Sequence, residues 1–119
     1  MAKPICLIDA SKCIGCRGCQ VACKQWNQNP AEHTTFTGTY ENPPALSSTT
    51  WMRIKFREHE NESGGVDWLM VKQGCIHCSD AACMMACPAG AIYRTEFDTV
   101  KVDEIKCIGC NYWVAACPF

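Results

Sequence analysis

The sequence predicts an α+β fold made of short helices and short strands. Two observations support this prediction: 12 cysteines within 119 residues gather in three groups of similar spacing, and strand-like runs stand between the groups. Cysteine at this density needs a covalent or metal-based explanation. The cysteine groups therefore decide the interpretation of the whole chain.

The first half of the chain alternates regular and irregular segments. Residues 5–9 are typical of a short strand that leads into the first cysteine group, and a helical turn or two follows up to Trp26. Residues 27–50 are rich in Asn, Pro, Thr and Ser, which predicts an irregular surface excursion. The β-rich runs 51–56 and 66–71 are joined by a polar segment with two glycines, and they predict a β-hairpin.

The second half of the chain repeats one pattern. A cysteine group is followed by proline, Gly-Ala-Ile, a short strand-turn-strand over residues 91–102 and Val-Asp, and then the next cysteine group begins. The length is that of one ordinary domain. We therefore expect a single domain over residues 1–119, with an insertion at about residues 27–73.

Charge and hydropathy exclude some partners. The formal net charge is -1, so the chain has no basic field that would hold nucleic acid. No stretch approaches the roughly 20 apolar residues that a membrane-spanning helix needs, and the N-terminus lacks the apolar centre of a signal peptide. We expect a soluble chain that does not bind nucleic acid and whose export, if it is exported, depends on a partner's signal.

The three cysteine groups have the spacing of iron-sulfur ligands. Motif 1 (residues 13–23) is the Cys-x2-Cys-x2-Cys-x3-Cys run of bacterial ferredoxins, with Lys24 in place of the usual following proline. Motif 2 (residues 75–87) has two additional residues in the middle, and motif 3 (residues 107–117) carries Trp113 at the third ligand position. The predicted ligands are the eleven motif cysteines: Cys13, Cys16, Cys19, Cys23, Cys75, Cys78, Cys83, Cys87, Cys107, Cys110 and Cys117.

This spacing suits a cubane cluster, because a tight loop with a cysteine at every third residue can reach three of its iron atoms. The fourth iron faces away from the loop. In paired clusters the last cysteine of each motif therefore ligates the other cluster. A proline after that cysteine turns the chain away, since it cannot donate a backbone hydrogen bond or continue a helix. The expected cofactors are 4Fe-4S clusters.

Other uses of cysteine fit the sequence less well. Structural zinc uses pairs of cysteines in sets of four, and motifs 1 and 2 hold more close thiols than one zinc ion uses. A disulfide framework conflicts with thiols three residues apart and with the lack of a secretory signal. A thioredoxin-type redox motif would accompany a βαβ pattern, which is not evident. A zinc-organised interaction module remains the alternative of a different class.

Several residues beside the motifs have a weaker signal. We expect Cys6 to be a small buried hydrophobic residue, and His77 to be a spacer or hydrogen-bonding residue within motif 2. Arg17, Lys24 and Lys106 flank the motifs, where their charge could tune cluster potentials or simply be solvated. No nucleophile-base pair, phosphate loop or carboxylate pair stands out. The chain is therefore expected to be non-catalytic, with the chemistry belonging to a partner.

Five segments of the sequence indicate which kind of iron-sulfur protein the chain is similar to. They are Cys13–Trp26, Tyr40–Pro44, Val66–Leu69, Gly74–Cys78 and Cys107–Cys110. In kind and order they resemble the β subunits of formate dehydrogenases, which are iron-sulfur electron-transfer subunits of molybdenum or tungsten enzymes. The resemblance covers nearly the whole chain and implies a ferredoxin-like fold around the clusters, with the hairpin as an insertion. Nitrate and sulfoxide reductases of the molybdopterin type share the cysteine motifs, so their electron-transfer subunits are an alternative.

The resemblance also implies redox partners and cellular compartments. Electrons would pass from a molybdopterin-bearing catalytic subunit to a membrane cytochrome or to a soluble acceptor. Two compartments agree with it: the periplasmic face of the membrane after export with a partner, and the cytoplasm.

Two departures from the family pattern affect the ligand sets. Family members usually carry four motifs and this chain has three, so it resembles the N-terminal part of a longer subunit, truncated before a fourth motif. By the family's pairing, motifs 2 and 3 exchange last ligands, and motif 1 would pair with the fourth motif. One cluster would then have Cys107, Cys110 and Cys87, and the other would have Cys75, Cys78, Cys83 and Cys117. Trp113 cannot ligate iron, and in similar subunits of respiratory nitrate reductases a tryptophan at this position accompanies a 3Fe-4S cluster.

Overall fold

A computed structural model describes residues 2–119. Within this range the chain forms a short 3-10 helix, three α-helices and two separate antiparallel strand pairs. No helix in the described range is long and apolar enough to cross a membrane. In chain order the elements are the 3-10 helix Ala10–Lys12, α1 Gly18–Trp26, β1 Met52–Glu60, β2 Val66–Gly74, α2 Ala82–Ala86, β3 Ile92–Arg94, β4 Val100–Val102 and α3 Tyr112–Ala116.

The chain divides into two compact units. The first unit is Leu7–Cys75, which contains motif 1, the excursion and the β1–β2 pair. The second unit combines residues 2–6 with Ile76–Phe119, and it contains α2, the β3–β4 pair and α3. Motif 1 therefore lies wholly in the first unit, and motif 3 lies wholly in the second.

A long hairpin dominates the first unit. The nine-residue strands β1 and β2 pair without interruption from Met52 opposite Gly74 to Glu60 opposite Val66. Asn61 closes the turn, because its side-chain oxygen accepts a hydrogen bond from the Gly65 N–H at 2.8 Å. The predicted hairpin is confirmed, and both strands extend beyond the predicted runs: β1 continues through the polar, exposed residues 57–60, and β2 continues through the half-buried residues 72–74. The hydrophobic pattern does not predict these strand ends, because they are stabilised by backbone pairing and not by burial of apolar side chains.

The outer edge of β1 is covered by two polar side chains. Gln20 of α1 accepts the Ile54 N–H at 3.4 Å, and Glu41 of the excursion accepts the Phe56 N–H at 3.2 Å. Glu41 also binds the guanidinium of Arg53 at 2.7 Å, where Arg53 is only 7% exposed. These contacts satisfy backbone donors that an uncovered strand edge would present to solvent or to another chain. The excursion over residues 27–50 is irregular as predicted, and it supplies part of this cover through Glu41.

The second unit is organised around the short β3–β4 pair. Ile92 lies opposite Val102 and Arg94 opposite Val100. Beside this pair, α2 and α3 pack against each other. Among the described residues of this unit, the buried apolar side chains are Ala81, Ala91 and Ile92.

The N-terminal segment differs from the prediction. Residues 5–9 do not form a strand, and Ile5 and Leu7 are 92% and 90% exposed. A strand needs a neighbouring strand for its backbone hydrogen bonds, and no described strand pairs with this segment. The expectation that Cys6 is buried is wrong for the same reason, since its side chain is exposed.

Candidate iron-sulfur site

The three motifs share one local backbone conformation. The residue before the second cysteine has a positive φ in each motif: +68° at Gly15, +53° at His77 and +69° at Gly109. The residue after the second cysteine is also left-handed in motifs 1 and 3, with φ of +61° at Arg17 and +59° at Asn111. L-residues other than glycine rarely adopt this region. The left-handed residue before the second cysteine therefore recurs in all three motifs, and the second left-handed residue recurs in motifs 1 and 3.

The third ligand position falls at the same place in each motif. Cys19 is the second residue of α1 and Cys83 is the second residue of α2. Trp113 is the second residue of α3. The structure thus places the indole at the position that the third cysteine occupies in the other two motifs. Trp113 is 49% exposed, so it does not stand in this position as part of a buried core.

One cavity in the second unit brings motif cysteines together. Cys87, Cys107 and Cys110 line it, and Trp113 lines it beside them. Its other walls are small or apolar, including Ala91, Ile92 and Val102. These three thiols are the set that the family pairing assigns to one cluster. Three soft sulfur donors within a largely apolar wall fit the chemistry of an iron-sulfur site. Cys117, at the C-terminal end of α3, is not among the lining residues.

Backbone amides surround the sulfur of Cys87. The N–H of Ala91 donates to the Cys87 Sγ at 3.3 Å. This hydrogen bond, helped by the N–H groups of Ile92, Ala89 and Gly90, lowers the pKa of the Cys87 thiol although burial opposes the shift. Gly90 adopts φ +61° within this turn. Because the thiolate is the form that binds iron, the turn after motif 2 favours the ligating state of Cys87.

The sulfur of Cys23 in motif 1 also accepts a hydrogen bond. The side-chain amide of Asn27 lies 3.7 Å from the Cys23 Sγ and donates to the Cys23 carbonyl at 2.8 Å. Lys24, which stands where proline is usual, donates to the carbonyls of Pro30 at 3.1 Å and Thr49 at 3.0 Å. Lys24 is therefore not simply solvated, because its ammonium ties α1 to the excursion.

The loop of motif 1 packs on the hairpin. The Arg17 guanidinium lies 5.2 Å from the centre of the Phe56 ring and donates to the Tyr40 carbonyl. A Cβ added to Gly15 would lie 2.8 Å from the Phe56 ring and 3.1 Å from the sulfur of Met70. Gly15 therefore serves two needs, a left-handed turn and a close approach to the hairpin. The cation-π contact holds the Arg17 charge beside motif 1.

The eleven predicted ligands differ in exposure. Cys13, Cys23, Cys78, Cys83, Cys87 and Cys110 are half-buried, while Cys16, Cys19, Cys75, Cys107 and Cys117 are exposed. Within residues 2–119, no group of three or more His, Cys, Asp or Glu side chains has the geometry of a single-ion site.

Sequence reasoning missed two residues that contact the motifs. Asn27 lies one helical turn after Cys23, and that spacing could have indicated its contact with the sulfur. Arg94 donates to the carbonyls of Cys78 and Ser79, which are 16 and 15 residues away in the chain. No local pattern predicts such a contact.

Two protein-family profiles match the chain, and both are described as a 4Fe-4S dicluster domain. One matches residues 12–91 and the other matches residues 66–119. The chain belongs to this family of 4Fe-4S dicluster proteins. The predicted class, a ferredoxin-like iron-sulfur protein with mixed helices and strands that holds 4Fe-4S clusters, is confirmed at this level.

Individual relatives narrow the comparison. The chain is 46% identical over 114 residues to the iron-sulfur subunit of the nitrate-inducible formate dehydrogenase of Escherichia coli, covering 95% of this chain and 38% of that protein. It is 40% identical to formate dehydrogenase 2 subunit beta (cytochrome c-553) of Nitratidesulfovibrio vulgaris, covering 95% and 55%. It is 38% identical to the thiosulfate reductase electron transfer subunit of Salmonella typhi, covering 95% and 51%. The resemblance to formate dehydrogenase iron-sulfur subunits is confirmed, and the chain spans well under two thirds of each relative.

Proposed function

We propose that this chain relays electrons from the molybdenum- or tungsten-containing catalytic subunit of a formate dehydrogenase to a downstream acceptor. The observation that carries the proposal is the similarity to formate dehydrogenase iron-sulfur subunits across 95% of the chain. The acceptor would be a membrane cytochrome subunit or a soluble electron carrier. When bound, the clusters supply one-electron redox chemistry, and the protein sets their potentials through ligands, charge, hydrogen bonds and burial.

The chain's own residues have distinct tasks in this proposal. Motif cysteines bind iron as thiolates, and the amides around Cys87 stabilise that form. The Asn27 amide would do the same for Cys23. Buried apolar walls such as Ala91 and Ile92 keep water away from their side of the motif 3 cavity.

The ligand sets are part of the proposal. Cys87, Cys107 and Cys110 would hold one cluster, and their common cavity supports this set. Cys75, Cys78, Cys83 and Cys117 would hold a second cluster, on the family pairing. Cys13, Cys16 and Cys19 would hold a third with a ligand from a fourth motif of the family, and Cys23 would serve that motif's cluster. All of these ligands would belong to one ferredoxin-type domain with the insertion at about residues 27–73.

The cavity of motif 3 would hold a 3Fe-4S cluster. Trp113 stands at the third ligand position and lines the cavity with the three thiols. An indole offers no available lone pair to iron, so the iron that this position would anchor would be absent. A 3Fe-4S cluster is paramagnetic when oxidised, whereas an oxidised low-potential 4Fe-4S cluster is silent in electron paramagnetic resonance.

Anaerobic reconstitution with iron and sulfide analysis tests the proposal. We expect acid-labile sulfide, at least two clusters per chain and an oxidised signal near the free-electron position. Trp113→Cys should remove this signal and add one iron per chain. Trp51→Cys is the matched control, because Trp51 is 48% exposed and lies outside every motif. A zinc protein without labile sulfide would refute the iron-sulfur function, and a wild type without the signal would refute the 3Fe-4S assignment.

A second candidate is the electron-transfer subunit of another molybdopterin reductase, and the similarity to a thiosulfate reductase subunit favours it. Co-purification with the catalytic subunit distinguishes the two functions. In the formate dehydrogenase complex, formate should bleach the visible absorption of the clusters in this chain. If formate leaves the absorption unchanged while reduced viologen bleaches it, the formate-specific function is wrong and electron transfer stands.

A further inference from the structure

We infer that Arg94 is a positioning residue for the ligand loop of motif 2 and raises the reduction potential of the cluster held there. The inference rests on the proposed ligand role of Cys78. It concerns the contact between the loop of residues 76–81 and the β3–β4 pair, both of which lie in the second compact unit. Arg94 is the last residue of β3 and is partly buried.

The Arg94 guanidinium bridges two segments of the unit. One of its nitrogens, Nη2, donates to the carbonyl of Cys78 at 2.6 Å and to that of Ser79 at 2.9 Å. The other, Nη1, donates to the carbonyl of Asp98 at 3.0 Å and lies 3.4 Å from the Asp98 carboxylate. A planar guanidinium presents its donors in a fixed fork, so both segments are held at a set orientation. Lysine has a single side-chain nitrogen and cannot reproduce the two-nitrogen fork that reaches the Cys78–Ser79 carbonyls on one side and Asp98 on the other.

A second contact between the β3–β4 pair and the loop of residues 76–81 comes from the residue opposite Arg94. Val100 is the cross-strand partner of Arg94, and its N–H donates to the His77 Nδ1 at 2.9 Å. This donor is available because only alternate pairs of an antiparallel ladder are hydrogen-bonded, and the next pair is bonded through the Thr95 N–H and the Thr99 carbonyl. His77 thus has the hydrogen-bonding role that was considered for it. One cross-strand pair therefore contacts the His77 side chain and the carbonyls of Cys78 and Ser79.

The turn beyond Arg94 is rigidly built and anchors the arginine. The Thr95 N–H donates to the Thr99 carbonyl at 2.8 Å, and the two threonine hydroxyls are 2.6 Å apart. The Asp98 carboxylate accepts from Lys3 at 3.0 Å as well as facing Arg94. The Asp98 carboxylate therefore lies between two cations, and the Arg94 guanidinium places its own positive charge against the backbone of Cys78.

These contacts have two consequences for a bound cluster. A ligand loop whose backbone carbonyls are already satisfied needs less reorganisation to present the Cys78 thiolate, so iron should be lost more slowly. The positive charge of the Arg94 guanidinium favours the reduced, more negative state of the cluster, so the reduction potential should be higher than without it. Positioning and charge can be separated, because lysine keeps the charge and loses the fork.

The test compares Arg94→Gln, Arg94→Lys and the control Lys101→Gln in the complete chain after anaerobic reconstitution. Lys101 is an exposed cation on β4, so its variant removes the same charge from the same hairpin without touching the loop. Two quantities are measured: the rate of iron release to a chelator and the midpoint potentials in a redox titration. Cys78→Ser reports whether the motif 2 ligand assignment itself holds.

For Arg94→Gln we expect iron release from one cluster at least about tenfold faster, as the loss of charge-assisted hydrogen bonds would produce, and a more negative potential for that cluster. Arg94→Lys should release iron at an intermediate rate and keep the wild-type potential. Arg94→Gln behaving like Lys101→Gln in both measurements would overturn the inference. Arg94→Lys with the potential of Arg94→Gln would overturn its charge component. If Cys78→Ser retains all iron, the ligand assignment fails instead.

Discussion

Replacing Gly15 by alanine should weaken the hold of the hairpin on motif 1, and Gly109 provides a matched control. Both glycines occupy the same position, between the first two cysteines of motifs 1 and 3, with φ of +68° and +69°. A Cβ at Gly15 would lie 2.8 Å from Phe56 Cε1. A Cβ at Gly109 would meet no heavy atom within 4 Å among the described residues.

The expected free-energy costs follow from this difference. Placing alanine in the left-handed region costs about 1–2 kcal/mol at either site. The clash with Phe56 adds an overpacking cost of about 1–3 kcal/mol at Gly15 alone. The reduced entropy of the unfolded chain, which stabilises both variants, cancels in the comparison. Gly15→Ala should therefore lose about 1–3 kcal/mol more than Gly109→Ala.

Amide hydrogen exchange, resolved by peptide and carried out anaerobically, measures both costs where they arise. Gly15→Ala should reduce the protection of β1 and β2, and Gly109→Ala should affect the peptides around motif 3 by the smaller amount. Equal losses in the two variants would refute the reasoning, because the packing of the Gly15 loop on the Phe56 ring would then contribute nothing.

Two further predictions concern the acidic residues of the excursion. Hydrogen bonds from Ser47 and Thr49 lower the pKa of Glu32 from its ordinary 4.5 to about 2, so its contribution to stability is present above about pH 4.5 and is lost as the pH falls towards 2. Glu32→Gln should flatten the acid dependence of the unfolding midpoint in that window, and unchanged acid dependence would contradict this. Glu41→Gln breaks the ion pair with buried Arg53 and should cost about 1.5–3 kcal/mol in guanidinium unfolding; a cost below about 0.5 kcal/mol would argue that the pair is replaceable.

Local features of this protein were predictable because they depend on neighbours in the chain. The β1–β2 hairpin follows from two β-rich runs around a polar, glycine-containing turn. The motif spacing predicts cluster binding, which the family membership confirms, because most ligands of a cluster come from cysteines only a few residues apart. The irregular excursion follows equally from its prolines and small polar residues.

Features that depend on distant partners were not predictable in the same way. Residues 5–9 have a strand-like pattern and remain unpaired, since a strand forms only where another strand lies beside it. Lys24 departs from the ferredoxin pattern in sequence, yet its role follows from carbonyls of the excursion that only folding brings near.

The sequence by itself determined the cofactor class, the positions of the candidate ligands and the odd tryptophan in motif 3. Only the tertiary structure showed that Trp113 lines one cavity with Cys87, Cys107 and Cys110, and that Arg94 holds the loop containing Cys78. The physical reason is the range of the interactions. Ligand spacing and left-handed turns are local properties of a few residues, whereas a shared cavity or a long side-chain bridge exists only after distant segments have packed together.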